Sequence, residues 1–100
     1  MSVFSKRLKE ARRKAGLSQE RLGVLAGIDE MSASARMNQY ERGKHEPDFS
    51  MVERIARALN VPVSFFYAED DDEASLLRWF CKLSAEEREE VMQKVKGEQA

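Results

Sequence analysis

The sequence predicts an all-α fold on three observations. Apolar residues recur at steps of three and four. Glycines and capping residues punctuate the chain at helix-length intervals. No stretch alternates strand-forming residues with period two. Five helices fill residues 3–67, and one or two more follow in the C-terminal third. Hydrophobic residues are 42% and charged residues 35% of the 100, enough for one modest core under a heavily charged surface. A chain of this size has no room for a core plus a large substrate cleft.

The elements follow in order. Phe4, Leu8, Ala11 and Ala15 form the stripe of a first helix, which Gly16 ends. Ser18 caps a second helix that runs to about Ala26 and closes at Gly27, with Glu20 near its positive end. Residues 28–32 read as a turn, and Ser32 as the cap of a third helix over about residues 33–42, stopped by Gly43. Pro47 holds Glu46 out of helical geometry. Ser50 or Asp48 then caps a fourth helix with Val52, Ile55, Ala56 and Leu59 inside, closed by Asn60. Pro62 opens a short fifth helix carrying Phe65, Phe66 and Tyr67. The five carboxylates from Glu69 to Glu73 are either a linker or the negative start of a sixth helix. Ser84 to Glu87 is a capping-box pattern, opening a last helix with Val91, Met92 and Val95 inside.

Charge divides the chain more sharply than its net value of −1 suggests. Residues 1–60 hold 12 Lys/Arg against 8 Asp/Glu, and residues 61–100 hold 5 against 10. A basic front and an acidic rear imply that only the front meets a polyanion. The single cysteine, Cys81, excludes an internal disulfide and suits a reducing compartment; with no apolar span or secretory leader, the expected location is cytoplasmic, away from membranes. His45 has no partners at metal-ligand spacing, and neither a phosphate-cradling glycine loop nor a nucleophile elbow occurs. The expectation is a non-enzyme that uses no cofactor and no metal.

Several stretches fall in a familiar order: Leu8-Lys-Glu-Ala-Arg12, Gly16-Leu-Ser-Gln-Glu20, Leu22, Ala26-Gly-Ile28, Tyr40-Glu-Arg-Gly-Lys44, Pro47 and Ile55-Ala-Arg-Ala-Leu-Asn-Val-Pro62. With these, residues 3–67 resemble the Cro and phage-repressor-like helix-turn-helix regulators, the XRE family. The resemblance implies a compact five-helix repressor-like DNA-binding domain over residues 1–68, with residues 69–100 as an acidic linker and C-terminal helical segment. It implies a sequence-specific regulator of double-stranded DNA, a repressor acting as a homodimer through a recognition helix at about 33–42. Two sequence departures stand out. Asp29 to Ser32 are about four residues more than the usual spacing and predict a longer turn before that helix, and Gly23 stands where the family commonly has alanine.

Helical angles of about 100° per residue sort the faces of the third helix. Ala33, Met37, Tyr40 and Glu41 point inward. Ser32, Ala35, Gln39 and Arg42 point out, with Ser34, Arg36 and Asn38 on the flanks. That outer side has no carboxylate. The resemblance assigns base reading to Ser34, Ala35 and Gln39, and general pairing chemistry extends it to Arg36 and Asn38: an amide suits adenine, a guanidinium guanine, and the Ala35 methyl a thymine methyl. Gln19 looks like the family's phosphate anchor, and Arg42 follows the recognition helix towards the backbone. Lys44 and His45 either join it there or occupy an ordinary exposed loop. Arg12 and Glu41 look like the family's internal ion pair.

Residues 74–96 lie outside the resemblance. Leu76, Leu77, Trp79 and Phe80 are too apolar for exposure, and either cover the core or form a dimer interface. The rival reading is an antitoxin or adaptor whose C-terminal segment binds a partner protein.

Overall fold

A computed structural model describes residues 2–97, and the described chain is helical throughout with no strands. Helix α1 spans Val3–Lys14, α2 Gln19–Leu25, α3 Glu30–Glu41 and α4 Phe49–Leu59. A 3₁₀ helix follows over Val63–Tyr67, then α5 over Asp71–Phe80 and α6 over Ala85–Lys96. Side-chain caps set most of the starts. Ser2, Ser18, Asp48, Asp70 and Ser84 each accept from the backbone N–H three residues on, and Glu87 returns the bond to the Ser84 N–H. Asn60 closes α4 in the left-handed conformation at φ 55°.

The core forms where the inner faces of α1 to α4 meet the 3₁₀ helix. Leu8, Leu22, Met37, Ile55, Val52 and Phe66 are almost fully buried there. Phe4 packs on Phe66 with ring centroids 5.2 Å apart, and Phe65 meets Phe66 edge-on at 5.6 Å.

Four expectations change. The third helix begins at Glu30, capped by Asp29 rather than Ser32, so three of the four additional residues extend the helix and the fourth caps it, instead of lengthening the turn. The fifth element is 3₁₀, with Pro62 just outside it. Ala15 sits exposed at the C-cap of α1, off the core stripe. Helix α6 buries none of its residues: Val91 is half-buried, while Met92 and Val95 face solvent.

The acidic run is the start of a helix, with Asp70 as N-cap and Asp71, Asp72 and Glu73 in the first turn of α5. Of the apolar residues that follow, Ala74 is buried and Leu77 packs against the core, Phe80 is half-buried, and Leu76 and Trp79 remain exposed at 53% and 57%.

One buried side chain fixes α5 to the rest. Arg7, 1% exposed, donates from Nε to the Ala68 carbonyl at 2.9 Å and from Nη2 to the Glu69 carbonyl at 3.1 Å. Its Nη1 reaches Asp71 at 2.9 Å and Glu10 at 3.3 Å. The fork satisfies two backbone acceptors and fixes the guanidinium at the joint. Hydrogen bonding from Arg7, then the charges of Lys6 and Arg7, hold the Asp71 carboxyl below its usual range.

Candidate nucleic-acid interface

Helix α3 is placed by two contacts that need close approach. Gly23 of α2 faces Ala33 so tightly that a Cβ at position 23 would lie 2.7 Å from the Ala33 Cβ and 3.0 Å from its Cα. At the other end, the Ser5 hydroxyl donates to the Tyr40 carbonyl at 2.8 Å and ties the last turn of α3 to α1. Ala33, Met37, Tyr40 and Glu41 are the buried side of the helix.

Glu41 is only 3% exposed, and it is not left alone. Arg12 grips it with both guanidinium arms, Nε to Oε2 at 2.5 Å and Nη2 to Oε1 at 3.0 Å, while Nη1 donates to the Leu17 carbonyl at 2.8 Å. The hydrogen bond to Glu41 raises the Arg12 pKa against the opposing effect of burial, with the carboxylate charge adding to it. A buried carboxylate without this partner would be costly. Gln19 completes the cluster, donating from Nε2 to Glu41 at 3.1 Å and to Asn38 Oδ1 at 3.3 Å.

The opposite side of α3 faces solvent. Ser34, Ala35, Arg36 and Arg42 are exposed, and Asn38 and Gln39 are half-buried. The additional first turn does not spoil this side. At about 100° per residue Glu30 falls within about 20° of Met37, on the inner side, and the residue added near the outer face is Met31. Met31 is 92% exposed. From Met31 to Arg42 the outer face carries no carboxylate.

Two open hollows flank it. The first, about 470 Å³, lies where α1, α2 and α3 meet and is lined by Lys9, Arg12, Arg13, Gln19, Asn38 and Arg42, with Ser18 and Glu41. Four cations surround it against one carboxylate, which Arg12 already engages. The second, about 300 Å³, joins Arg36, Gln39 and Tyr40 to His45 and Glu46. The loop carrying Lys44 and His45 folds back on the helix end, with both backbone N–H groups donating to the Gln39 carbonyl at 2.9 and 3.4 Å.

The structure thus brings Gln19, Asn38, Arg12, Glu41 and Arg42 together on one flank of α3, and Arg36, Gln39 and His45 on the other, with Lys44 in the loop beside them. Lys9 and Arg13 belong with the first group and are absent from the sequence expectation. Their spacing of four residues on the face next to Arg12 is the signal that could have found them. Leu76, Leu77, Trp79 and Phe80 stand apart on α5. Among the described residues no group of three or more His, Cys, Asp or Glu converges as a metal site requires, and no helix is long and apolar enough to cross a membrane.

Comparison with known proteins points the same way. The family described as "Helix-turn-helix domain" matches residues 3–64. Uncharacterised HTH-type transcriptional regulators of Sinorhizobium medicae and Rhizobium meliloti are each 36% identical over 63 residues, 63% of this chain and 42% of theirs. The match therefore spans under half of those relatives' length. The crystal structure of the transcriptional regulator BswR superposes with a TM-score of 0.86 at 43% identity, over 96% of this chain and 93% of that one.

Proposed function

The chain belongs to the helix-turn-helix family of DNA-binding transcriptional regulators, and from that premise we propose that it reads a specific double-stranded operator as a cytoplasmic homodimer and represses transcription there. It acts by binding and carries out no catalysis. Residues 1–68 hold the DNA, and residues 69–100 join two copies.

The carboxylate-free outer face of α3 carries this reading, because an element entering the major groove must avoid repelling phosphates while offering donors and acceptors to base edges. Gln39 pairs with adenine, Arg36 with guanine, and Ala35 meets a thymine methyl, with Ser34 and Asn38 beside them. Each good bidentate contact discriminates by about 1–3 kcal/mol. Gln19, Arg42, Lys44 and His45 hold the phosphate backbone, joined by Lys9 and Arg13 from the basic hollow. The Gln19 amide nitrogen is engaged by Asn38 and Glu41, so its turn towards a phosphate is coupled to release of Asn38 as a base reader.

The exposed Leu76 and Trp79, with Leu77 and Phe80 half-buried behind them, supply the apolar surface that a dimer contact needs. The same surface suits the rival reading, an antitoxin or adaptor docking a different protein. Selection from random duplexes at several salt concentrations tests the proposal. It should return a pseudo-palindromic site with half-site centres about 34–36 Å apart, whose affinity falls steeply with salt. A protein that retains no duplex at low ionic strength refutes DNA reading. An asymmetric single site refutes the homodimer.

A further inference from the structure

Helix α6 has no reason to be a helix on its own. Its 12 residues bury nothing, and an isolated segment of that length is marginal in water even with good helix formers. Yet it presents Met92 at 36% and Val95 at 66% exposure beside the half-buried Val91. Its base is firmly set. Arg88 donates to the Cys81 carbonyl at 3.0 Å and lies over the Phe80 ring at 5.3 Å, fixing how α6 leaves α5.

Charge along α6 is strongly polar. The first half carries Glu86, Glu87, Glu89 and Glu90 against Arg88, while the second half carries Lys94 and Lys96 with no acid. The helix dipole accounts for acids in the first turn and bases in the last. It does not account for Glu89 and Glu90 in the second turn, nor for the bare apolar residues.

Resting on the homodimer reading above, we infer that α6 pairs antiparallel with α6 of a second copy about its apolar patch, Glu89 and Glu90 of each lying against Lys94 and Lys96 of the other. A two-fold contact must be self-complementary, each patch meeting its own copy. Antiparallel pairing satisfies this and stacks Val91, Met92 and Val95 along the seam. Parallel pairing would set acid on acid and base on base, which is unfavourable. The antiparallel arrangement also carries the C-terminal end of each helix towards the partner's α5–α6 turn, next to the exposed Trp79.

The test uses two full-length variants in light scattering and native mass spectrometry. One is Glu89→Lys with Glu90→Lys, which reverses the acids that meet the partner's lysines; the other is Lys94→Glu with Lys96→Glu, which reverses those lysines. Each alone should associate at least about tenfold more weakly than the parent chain, a change of about 1.4 kcal/mol. Mixed together, the two should form a heterodimer in preference to either homodimer. Parent association should weaken as salt rises. If both variants dimerise as tightly as the parent, the pairing is wrong while the homodimer stands on another surface. Failure of the mixture to form a heterodimer, or tighter parent association at high salt, also overturns the pairing. A parent chain that is monomeric at every concentration overturns both readings.

Discussion

Replacing Arg7 by methionine should destabilise the molecule far more than its surface-like sequence context suggests. Arg7 is 1% exposed and serves four acceptors, of which the Ala68 carbonyl is fully buried. Leaving that oxygen without a donor costs about 1–3 kcal/mol, and losing the charge-assisted bond to the Glu69 carbonyl adds about 1 kcal/mol. The carboxylates of Glu10 and Asp71 are 31% and 78% exposed, so they regain water and add little. The total is about 3 kcal/mol. For a domain of this size that lowers Tm by about 12–24 °C, measured by far-UV circular dichroism.

Asp71→Asn isolates the other end of the same contact, and its effect at neutral pH should be small. The sign of its pH dependence is fixed. A folded carboxyl held below its usual range stabilises above the unfolded pKa of about 3.9 and loses that contribution as pH falls through the lowered value. The melts of the parent and of Asp71→Asn should therefore converge in acid. An Arg7→Met variant melting within about 4 °C of the parent would mean less than about 1 kcal/mol at stake, and the argument from the buried carbonyl would fail.

Three further outcomes follow from the α3 face. Arg12→Ala strands a carboxylate that is 3% exposed and should cost about 3 kcal/mol in chemical denaturation. Gln39→Ala should leave the midpoint nearly unchanged but relax selectivity at one base pair per half-site by about 1–3 kcal/mol in competition binding. The double variant Lys9→Ala with Arg13→Ala should weaken binding evenly across sequences and flatten the plot of log K against log salt by about 0.9 for each phosphate no longer neutralised; an unchanged slope would place both residues away from the backbone.

Much of this architecture is written locally. Caps such as Ser18 and Ser84, and the αL closure at Asn60, are decided within four residues of chain, and so are legible in it, whereas Asp48 and Ser50 both qualify as caps for α4 and the structure uses Asp48. The inner side of α3 is legible too, because burial repeats with the helical period. The start of α3 is not. Asp29 and Ser32 are both competent caps three residues apart, and only the packing around the buried Ile28 and the close Gly23–Ala33 contact selects the first. Arg7 is illegible for a different reason. It looks like one more basic residue on a charged helix, and three of its four acceptors lie more than sixty residues away. In α6, Val91, Met92 and Val95 announce an apolar side, but a periodic pattern cannot say whether the surface it meets belongs to the same molecule.

The near-touch of Gly23 and Ala33 has an evolutionary corollary. Any atom added at position 23 collides with main chain as well as with a methyl group, so rotamer changes cannot absorb it and the two helices must move apart. Neutral drift at either site is thus constrained by the present occupant of the other. Descendants in which position 23 has grown should carry a compensating change at position 33 or a wider angle between α2 and α3, and with it an altered approach to whatever α3 docks against.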